Sequence, residues 1–191
     1  MNRKWIVMAG AALAGALVLQ GCGALILGGA AATAVMASDR RTTGTYVEDE
    51  TIEWKVVDRM RNNYAGAHVN ATSYNRRVLL TGEAPTEEMK KQIEARVRGI
   101  ENVKDVVNEL QVEGASSMTS RGNDSLVTSN VKARMVNNGV FSPTHVKVLT
   151  EAGTVYMMGL VSQAEGEKAV EIARNTSGVV RVVKVFEYVE K

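Results

Sequence analysis

The sequence predicts an α+β protein made of two tandem copies of one αββαβ unit, each with two helices packed on one face of a three-stranded mixed sheet. Two observations predict this fold. Residues 49–112 can be laid over residues 124–188 with matching side chains along most of their length. Within each copy, apolar residues recur at helical spacing and then alternate as in two strands. A second segment with helical spacing and a last strand follow.

The match between the copies includes the first helix and the hairpin that follows it. The offset is 75 residues in the helix and 77 in the hairpin, as short insertions in loops produce, which indicates duplicated domains. The matched residues are Ile52, Val56, Met60, His68, Val78 and Gly82 in the first copy and Val127, Val131, Met135, His145, Val155 and Gly159 in the second.

Local signals place the remaining elements of each copy. Short turns at residues 74–76 and 151–153 separate alternating segments and predict β-hairpins. The second helices are predicted to begin behind Thr86 and Ser162, and Ser162 with Glu165 has the spacing of a capping box. Asn102 and Gly178 tolerate positive φ and are expected to end these helices, before last strands at 103–112 and 179–189.

The first 21 residues are predicted to be a lipoprotein signal peptide. Arg3 and Lys4 precede an apolar run that is too short and too rich in small residues for a membrane-spanning helix. The run ends in Leu19-Gln20-Gly21-Cys22, which resembles the lipobox of bacterial lipoproteins and implies cleavage before Cys22 and lipid attachment to it. Cys22 is the only cysteine, so no internal disulfide competes for the thiol. The alternative is an uncleaved anchor helix that continues through residues 23–37.

The residue after the cysteine is Gly23 and not Asp. By the resemblance to bacterial lipoproteins, this implies the outer membrane, with the domains facing the periplasm. Residues 22–48 are then the lipidated N-terminus and a flexible linker, and their Gly- and Ala-rich part either touches the membrane or acts only as a spacer. The small, polar residues 113–122 predict a second linker, between a first domain at 49–112 and a second at 123–191.

The charge balance argues against a nucleic-acid-binding protein. The chain has 23 basic and 21 acidic residues, and loss of Arg3 and Lys4 with the signal peptide makes the two numbers equal. We also expect no catalytic residue, no metal site and no cofactor besides the lipid on Cys22. The two histidines, His68 and His145, occupy equivalent positions just before a strand and lack a motif of metal ligands, so they are interpreted as duplicated strand-entry residues.

The pattern V-x-L-x-G, an acidic helix and then G-V-x-x-V resembles the BON domain. The second copy carries it as Val155-x-Met157-x-Gly159 followed by Gly178-Val179-x-x-Val182, whereas the first copy has Asn102 in place of the second glycine. The resemblance covers residue 49 to nearly the C-terminus. With the lipobox, the chain is similar to dual-BON lipoproteins of the Gram-negative outer membrane. That resemblance implies a non-enzymatic role in envelope integrity, phospholipid binding and enrichment where the cell divides.

One difference between the copies predicts a membrane-contact site on the first helix of the second copy. Leu126 and Val136 lie off its apolar stripe, and their counterparts Thr51 and Arg61 are polar. Apolar side chains beside cations suit an anionic phospholipid surface. The predicted contact residues are Leu126, Lys132, Arg134, Val136, Val140 and Phe141.

Two alternatives remain open for this site. The apolar residues can instead complete the core or cover an interface with the first copy, and Trp54 is a similar off-stripe residue in the first copy. The function is therefore either that of a lipid-binding envelope module or that of a scaffold that docks a periplasmic protein partner.

Overall fold

The computed structural model describes residues 38–61, 63–64, 66–113 and 118–190. Cys22 and the predicted signal peptide lie outside the described residues. The segment Asp39–Lys191 forms one compact unit. Within the described part of the chain, no helix combines the length and the apolar composition that a membrane span requires.

Each copy folds as the predicted αββαβ unit. The first domain consists of α1 (Thr43–Arg61), β1 (His68–Tyr74), β2 (Arg77–Ala84), α2 (Glu87–Arg98), β3 (Asp105–Asn108) and β4 (Gln111–Val112). The second domain consists of α3 (Met118–Val136), a 3-10 turn (Pro143–His145), β5 (Val146–Glu151), β6 (Thr154–Val161), α4 (Gln163–Arg174) and β7 (Arg181–Tyr188).

Both sheets are mixed, with the second hairpin strand in the centre. In the first domain β2 pairs antiparallel with β1 and parallel with β3 and β4, which are two pieces of one interrupted edge. In the second domain β6 pairs antiparallel with β5 and parallel with β7 along its whole length. The fold class predicted from the sequence is therefore confirmed.

The hairpins close through two-residue turns in which both residues have positive φ, as in type I′ turns. Asn75 and Arg76 have φ of 53° and 66°, and Ala152 and Gly153 have φ of 47° and 71°. A buried aspartate on the first helix of each domain holds the turn. Asp49 accepts hydrogen bonds from the backbone N–H groups of Asn75 and Arg76 at 2.8 and 2.7 Å. Asp124, its counterpart, accepts equivalent bonds at the second turn at 3.0 and 2.9 Å.

Two helices begin earlier than the sequence predicted. Residues 43–48 were expected to belong to the linker, but they form the first turns of α1, because the Thr42 hydroxyl accepts a hydrogen bond from the backbone N–H of Thr45 and caps the helix. In the same way, α3 begins at Met118, inside the segment predicted as the second linker. These linker predictions were wrong for the residues that the helices take up.

Each domain has its own core between its helices and its sheet. In the first domain Ile52 and Val56 of α1 pack with Leu80 of β2 and Val97 of α2. In the second domain Val131 of α3 belongs to the equivalent core with Met157 of β6 and Ala173 of α4. The glycines of the V-x-L-x-G pattern allow the hairpin strands to approach. A Cβ at Gly82 would lie 2.1 Å from the carbonyl oxygen of His68, and one at Gly159 would lie 2.3 Å from that of His145.

A third buried cluster joins the two domains. Alternation along β2 directs Leu80 into the domain core and Leu79 to the opposite face of the sheet. That face packs against the corresponding face of the second sheet, so the two sheets are stacked between the two pairs of helices. The buried members of this inter-sheet cluster are Tyr74, Leu79, Tyr156, Met158 and Val185.

We predict that Gly159→Ala lowers the free energy of unfolding by about 1–3 kcal/mol or more, since the added methyl overlaps the His145 carbonyl and forces β5 and β6 apart. Urea unfolding followed by circular dichroism measures this loss. The matched control is Gly122→Ala in α3, where an added Cβ meets nothing within 4 Å and helix propensity favours alanine. Equal midpoints for Gly159→Ala and the unaltered chain would contradict the steric argument.

Candidate membrane-contact site

Leu126 and Val136 lie on the surface of α3 and belong to no buried cluster. Their exposed fractions are 65% and 64%, whereas Val127, Val131 and Met135 of the same helix are buried. The alternative that these two residues complete the core or cover the first domain is therefore wrong. They are ten positions apart, or about 15 Å along the helix axis, and the exposed residues between them are small or polar.

Val140 and Phe141 lie in the loop that follows α3 and differ in burial. The side-chain oxygen of Asn138 accepts hydrogen bonds from the backbone N–H groups of Val140 and Phe141 at 2.7 and 2.9 Å, which fixes the loop. Val140 remains 46% exposed, but Phe141 is only 8% exposed and packs in the core of the second domain. The prediction that Phe141 contacts phospholipid was wrong, because its ring fills the core below the end of α3.

Both predicted cations, Lys132 and Arg134, are exposed, but Arg134 is hydrogen-bonded within its own domain. The Arg134 guanidinium donates to the carbonyl oxygen of Asn175 and to the hydroxyl of Thr176, at the C-terminal end of α4. Arg59, its counterpart, donates to the carbonyl oxygen of Arg96 at the end of α2. This duplicated contact shows that Arg134 fastens the two helices of its domain. We call Leu126, Lys132 and Val136 of α3, together with Val140 of the loop that follows, the α3 outer face.

A second exposed apolar group lies on α1. Val47, Trp54 and Val57 are 56%, 70% and 40% exposed, and their spacing places them along one side of the helix. The sequence singled out Trp54 alone. Val47 was missed because the segment before residue 49 was assigned to the linker, and only the helical register of α1 relates it to Trp54.

The BON domain family matches residues 48–114 and 123–190, nearly all of both αββαβ units. The chain belongs to the BON-domain family.

Three relatives show how far the likeness extends beyond the domains. The chain is 43% identical to the outer membrane lipoprotein DolP of Haemophilus influenzae, over 93% of this chain and 94% of that protein. It is 34% identical to the 21 kDa hemolysin of Actinobacillus pleuropneumoniae, over 80% of each chain. It is 27% identical to the osmotically-inducible protein Y of Escherichia coli, over 74% of this chain and 73% of that one. The chain is thus a dual-BON protein of the DolP type.

The segment before the first BON domain is fastened to the second. Arg40 forms a bidentate ion pair with Glu165, with N–O distances of 2.7 and 2.9 Å, and also donates a hydrogen bond to the carbonyl oxygen of Leu160. Glu165 accepts the backbone N–H of Ser162 as well, so it closes the capping box of α4. The hydrogen bonds from Arg40, together with those from Ser162, lower the pKa of Glu165 to about 2. The prediction of a flexible linker was therefore wrong for Arg40 and for the next residue, Arg41.

That neighbour, Arg41, is buried against the first BON domain. It pairs with Asp39 and Asp49 at 2.7 and 2.8 Å, and its guanidinium lies 4.0 Å from the ring centre of Tyr74. Burial alone would lower the pKa of Arg41, but the hydrogen bonds to both carboxylates outweigh it and raise the pKa. Burial also raises the pKa of Tyr74 to about 12. The side chain of Arg41 therefore stays charged and supports the aspartate that holds the first hairpin.

A histidine and two carboxylates meet where the BON domains join. His68 and Glu83 are direct partners across β1 and β2, with 2.9 Å between Nδ1 and a carboxylate oxygen. Glu151, from the tip of the second hairpin, accepts a hydrogen bond from the Asn70 side chain at 2.8 Å. One ligand atom from each of His68, Glu83 and Glu151 lies within 4.8 Å of the others. Sequence reasoning missed this cluster, since only the folded hairpins bring the three residues together.

We predict that Arg40→Ala destabilises the 39–191 unit near neutral pH by about 1–3 kcal/mol, because Arg40 makes the largest contribution to the lowered pKa of Glu165 and Ser162 adds to it. Because this pKa lies below its ordinary 4.5, the contribution is fully present above pH 4.5 and is lost as pH falls toward about 2. Urea unfolding at neutral pH and at stepwise lower pH measures the difference from the unaltered unit.

The control for this experiment is Lys168→Ala, which removes an exposed ion pair with Glu171 from the same helix. We expect it to cost at most about 0.5 kcal/mol at any pH. A deficit for Arg40→Ala that stays constant down to pH 2 would mean that the ion pair is not its cause.

Proposed function

We propose that the chain is a lipid-anchored protein of the outer membrane, facing the periplasm, that contacts anionic phospholipid and supports envelope integrity without catalysing a reaction. The lipid on Cys22 is its anchor, and the α3 outer face of the second BON domain is its membrane contact. The relationship to an outer membrane lipoprotein along 94% of that relative's length supports the anchored location. By the family resemblance, we extend the proposal to a role where the cell divides.

One observation carries the membrane contact. Leu126 and Val136 are about two-thirds exposed on a helix whose counterpart in the first domain has Thr51 and Arg61 at the same positions. The duplicated fold does not need apolar side chains there, since α1 packs in the same way with polar ones. Exposed apolar side chains that the core does not require are typical of interaction surfaces.

The energies expected of such a contact are modest. Full transfer of one Leu or Val side chain out of water contributes about 1.5–3 kcal/mol, and partial insertion contributes less. Lys132 adds about 1 kcal/mol near an anionic surface, in a salt-dependent manner. These terms give weak binding by themselves. A lipid anchor that keeps the domains near the bilayer would convert weak affinity into stable contact through effective concentration.

A second candidate function is that of a scaffold that docks a periplasmic protein through α1. The exposed Trp54, flanked by Val47 and Val57, favours it. Tryptophan is enriched among the residues that dominate protein–protein binding energies. The two functions use different helices, so they can be separated by substitution.

We predict that the double substitution Leu126→Glu with Val136→Glu weakens binding to phosphatidylglycerol-containing vesicles at least tenfold, equivalent to about 1.4 kcal/mol. The reason is loss of both apolar contacts and added repulsion from the anionic surface. Vesicle co-sedimentation of the 39–191 unit, which lacks the anchor, measures the affinity. Circular dichroism should show an unchanged fold, because both side chains lie outside the core.

The matched control carries Thr51→Glu with Arg61→Glu at the equivalent positions of α1. It changes the net charge by −3, against −2 in the double variant of α3, yet we expect nearly unchanged binding. A loss of binding in the control alone would move the contact to the first BON domain. A folded double variant that binds vesicles as before would favour the scaffold function, for which Trp54→Ala is the corresponding test.

A separate prediction tests the anchor. Cys22→Ala removes the thiol that would carry the lipid, so we expect loss of acylation and accumulation of an unprocessed precursor outside the outer-membrane fraction. Mass spectrometry of the N-terminal peptide, with membrane fractionation, measures both. Normal cleavage and outer-membrane fractionation of this variant would exclude Cys22 as the lipid attachment site.

A further inference from the structure

We propose that His68, Glu83 and Glu151 form a zinc site that bridges the two BON domains, with water completing the coordination. The three side chains converge from two domains, and their ligand atoms lie within 4.8 Å of one another. One imidazole and two carboxylates match the nitrogen and oxygen donors that zinc accepts in proteins.

The present distances need only a small adjustment. Zinc lies about 2.0–2.2 Å from nitrogen and oxygen ligands, so ligand atoms in a tetrahedral site are about 3.3 Å apart. The His68–Glu83 contact, at 2.9 Å, is already that close. Glu151 completes the site by a rotation of its side chain, which is only partly buried and is held by one hydrogen bond from Asn70. A metal would also offset the repulsion between two carboxylates at this separation.

The surroundings leave room for a water ligand and an entry route. His68 and Glu151 line a cleft of about 460 Å³, together with residues of α3. Glu83 and Glu151 line a second cleft of about 210 Å³, which also contains Glu109. The three ligands therefore lie where the two clefts meet. Thr81, on the same face of β2 as Glu83, has a buried hydroxyl without a hydrogen-bond partner among the described residues, which is an unused polar group beside the site.

The duplicated fold does not require this cluster. His145 is the counterpart of His68, but the residue in the place of Glu83 is Leu160, and Tyr74 takes the place of Glu151 in the first copy. The second domain therefore keeps the histidine and folds with an apolar residue in the position of Glu83. The two carboxylates occur only where the domains meet, which is the position at which a shared metal would hold them together.

Zinc chloride titrated into the full-length chain in detergent micelles, with a chromophoric chelator as competitor, tests the proposal. We expect one zinc ion bound per chain through the cluster, and at least tenfold weaker binding in each of His68→Ala, Glu83→Gln and Glu151→Gln. Zinc should raise the unfolding temperature of the unaltered chain and not that of Glu151→Gln, because a ligand of the native state stabilises it. Magnesium should not compete, since it prefers six oxygen ligands.

Two control variants are made in the same full-length chain, so that Cys22 is present in every sample. His145→Ala removes the equivalent histidine of the other domain, and Glu109→Gln removes a carboxylate of the adjoining cleft that pairs with Arg181. Both should bind zinc as the unaltered chain does. Equal zinc binding by all variants, or none by the unaltered chain, would overturn the site. Binding that needs His68 and Glu83 but not Glu151 would overturn the bridge between domains. Of the three ligand variants, Glu151→Gln is expected to disturb the fold least, because the Glu151 side chain lies outside the buried clusters.

Discussion

The packing of one sheet on the other determines which surfaces of this protein can act. Tyr74 and Leu79 from the first domain meet Tyr156, Met158 and Val185 from the second, and all five are withdrawn from water. Each sheet is thus covered on both faces, by helices on one side and by the other sheet on the other. The helices are left on the outside, and an exposed side of α1 and of α3 faces solvent. The same packing brings the tip of the second hairpin beside His68 and Glu83.

Duplication gave the two domains one set of supporting contacts and two different surfaces. Asp49 and Asp124 each hold a hairpin turn, and Arg59 and Arg134 each fasten the end of the second helix. Outside these contacts the sequences diverge, as at Thr51 and Leu126. Divergence on the outer helices costs little stability, since neither core contains those side chains. A repeated scaffold can therefore acquire different partners on its two halves.

How much could be predicted from the sequence depended on the range of each interaction. The capping box of Ser162 and Glu165 and the positive φ of Asn102 and Gly178 are set within a few residues, and the structure confirms them. The helices themselves end earlier than these two residues, at Arg98 and Arg174. The linker assignment failed at Arg40, whose partner lies 125 positions away. The prediction for Phe141 was wrong for a similar reason, because its ring packs in a core that includes Val170 and Phe186, far along the chain. The histidine cluster needed the contact between domains, which no local pattern encodes.

The attachment of Arg40 has a mechanical consequence. Arg40 precedes α1 in the chain but is bound to the second domain, through Glu165 and the carbonyl oxygen of Leu160. Asp39, one residue earlier, is bound through Arg41 to Asp49 of α1. Tension applied at the N-terminal end of the chain is therefore divided between the two domains, through Asp39 and Arg41 to α1 and through Arg40 to α4. A protein tethered by its N-terminus is thus pulled as one body, without peeling α1 from its sheet.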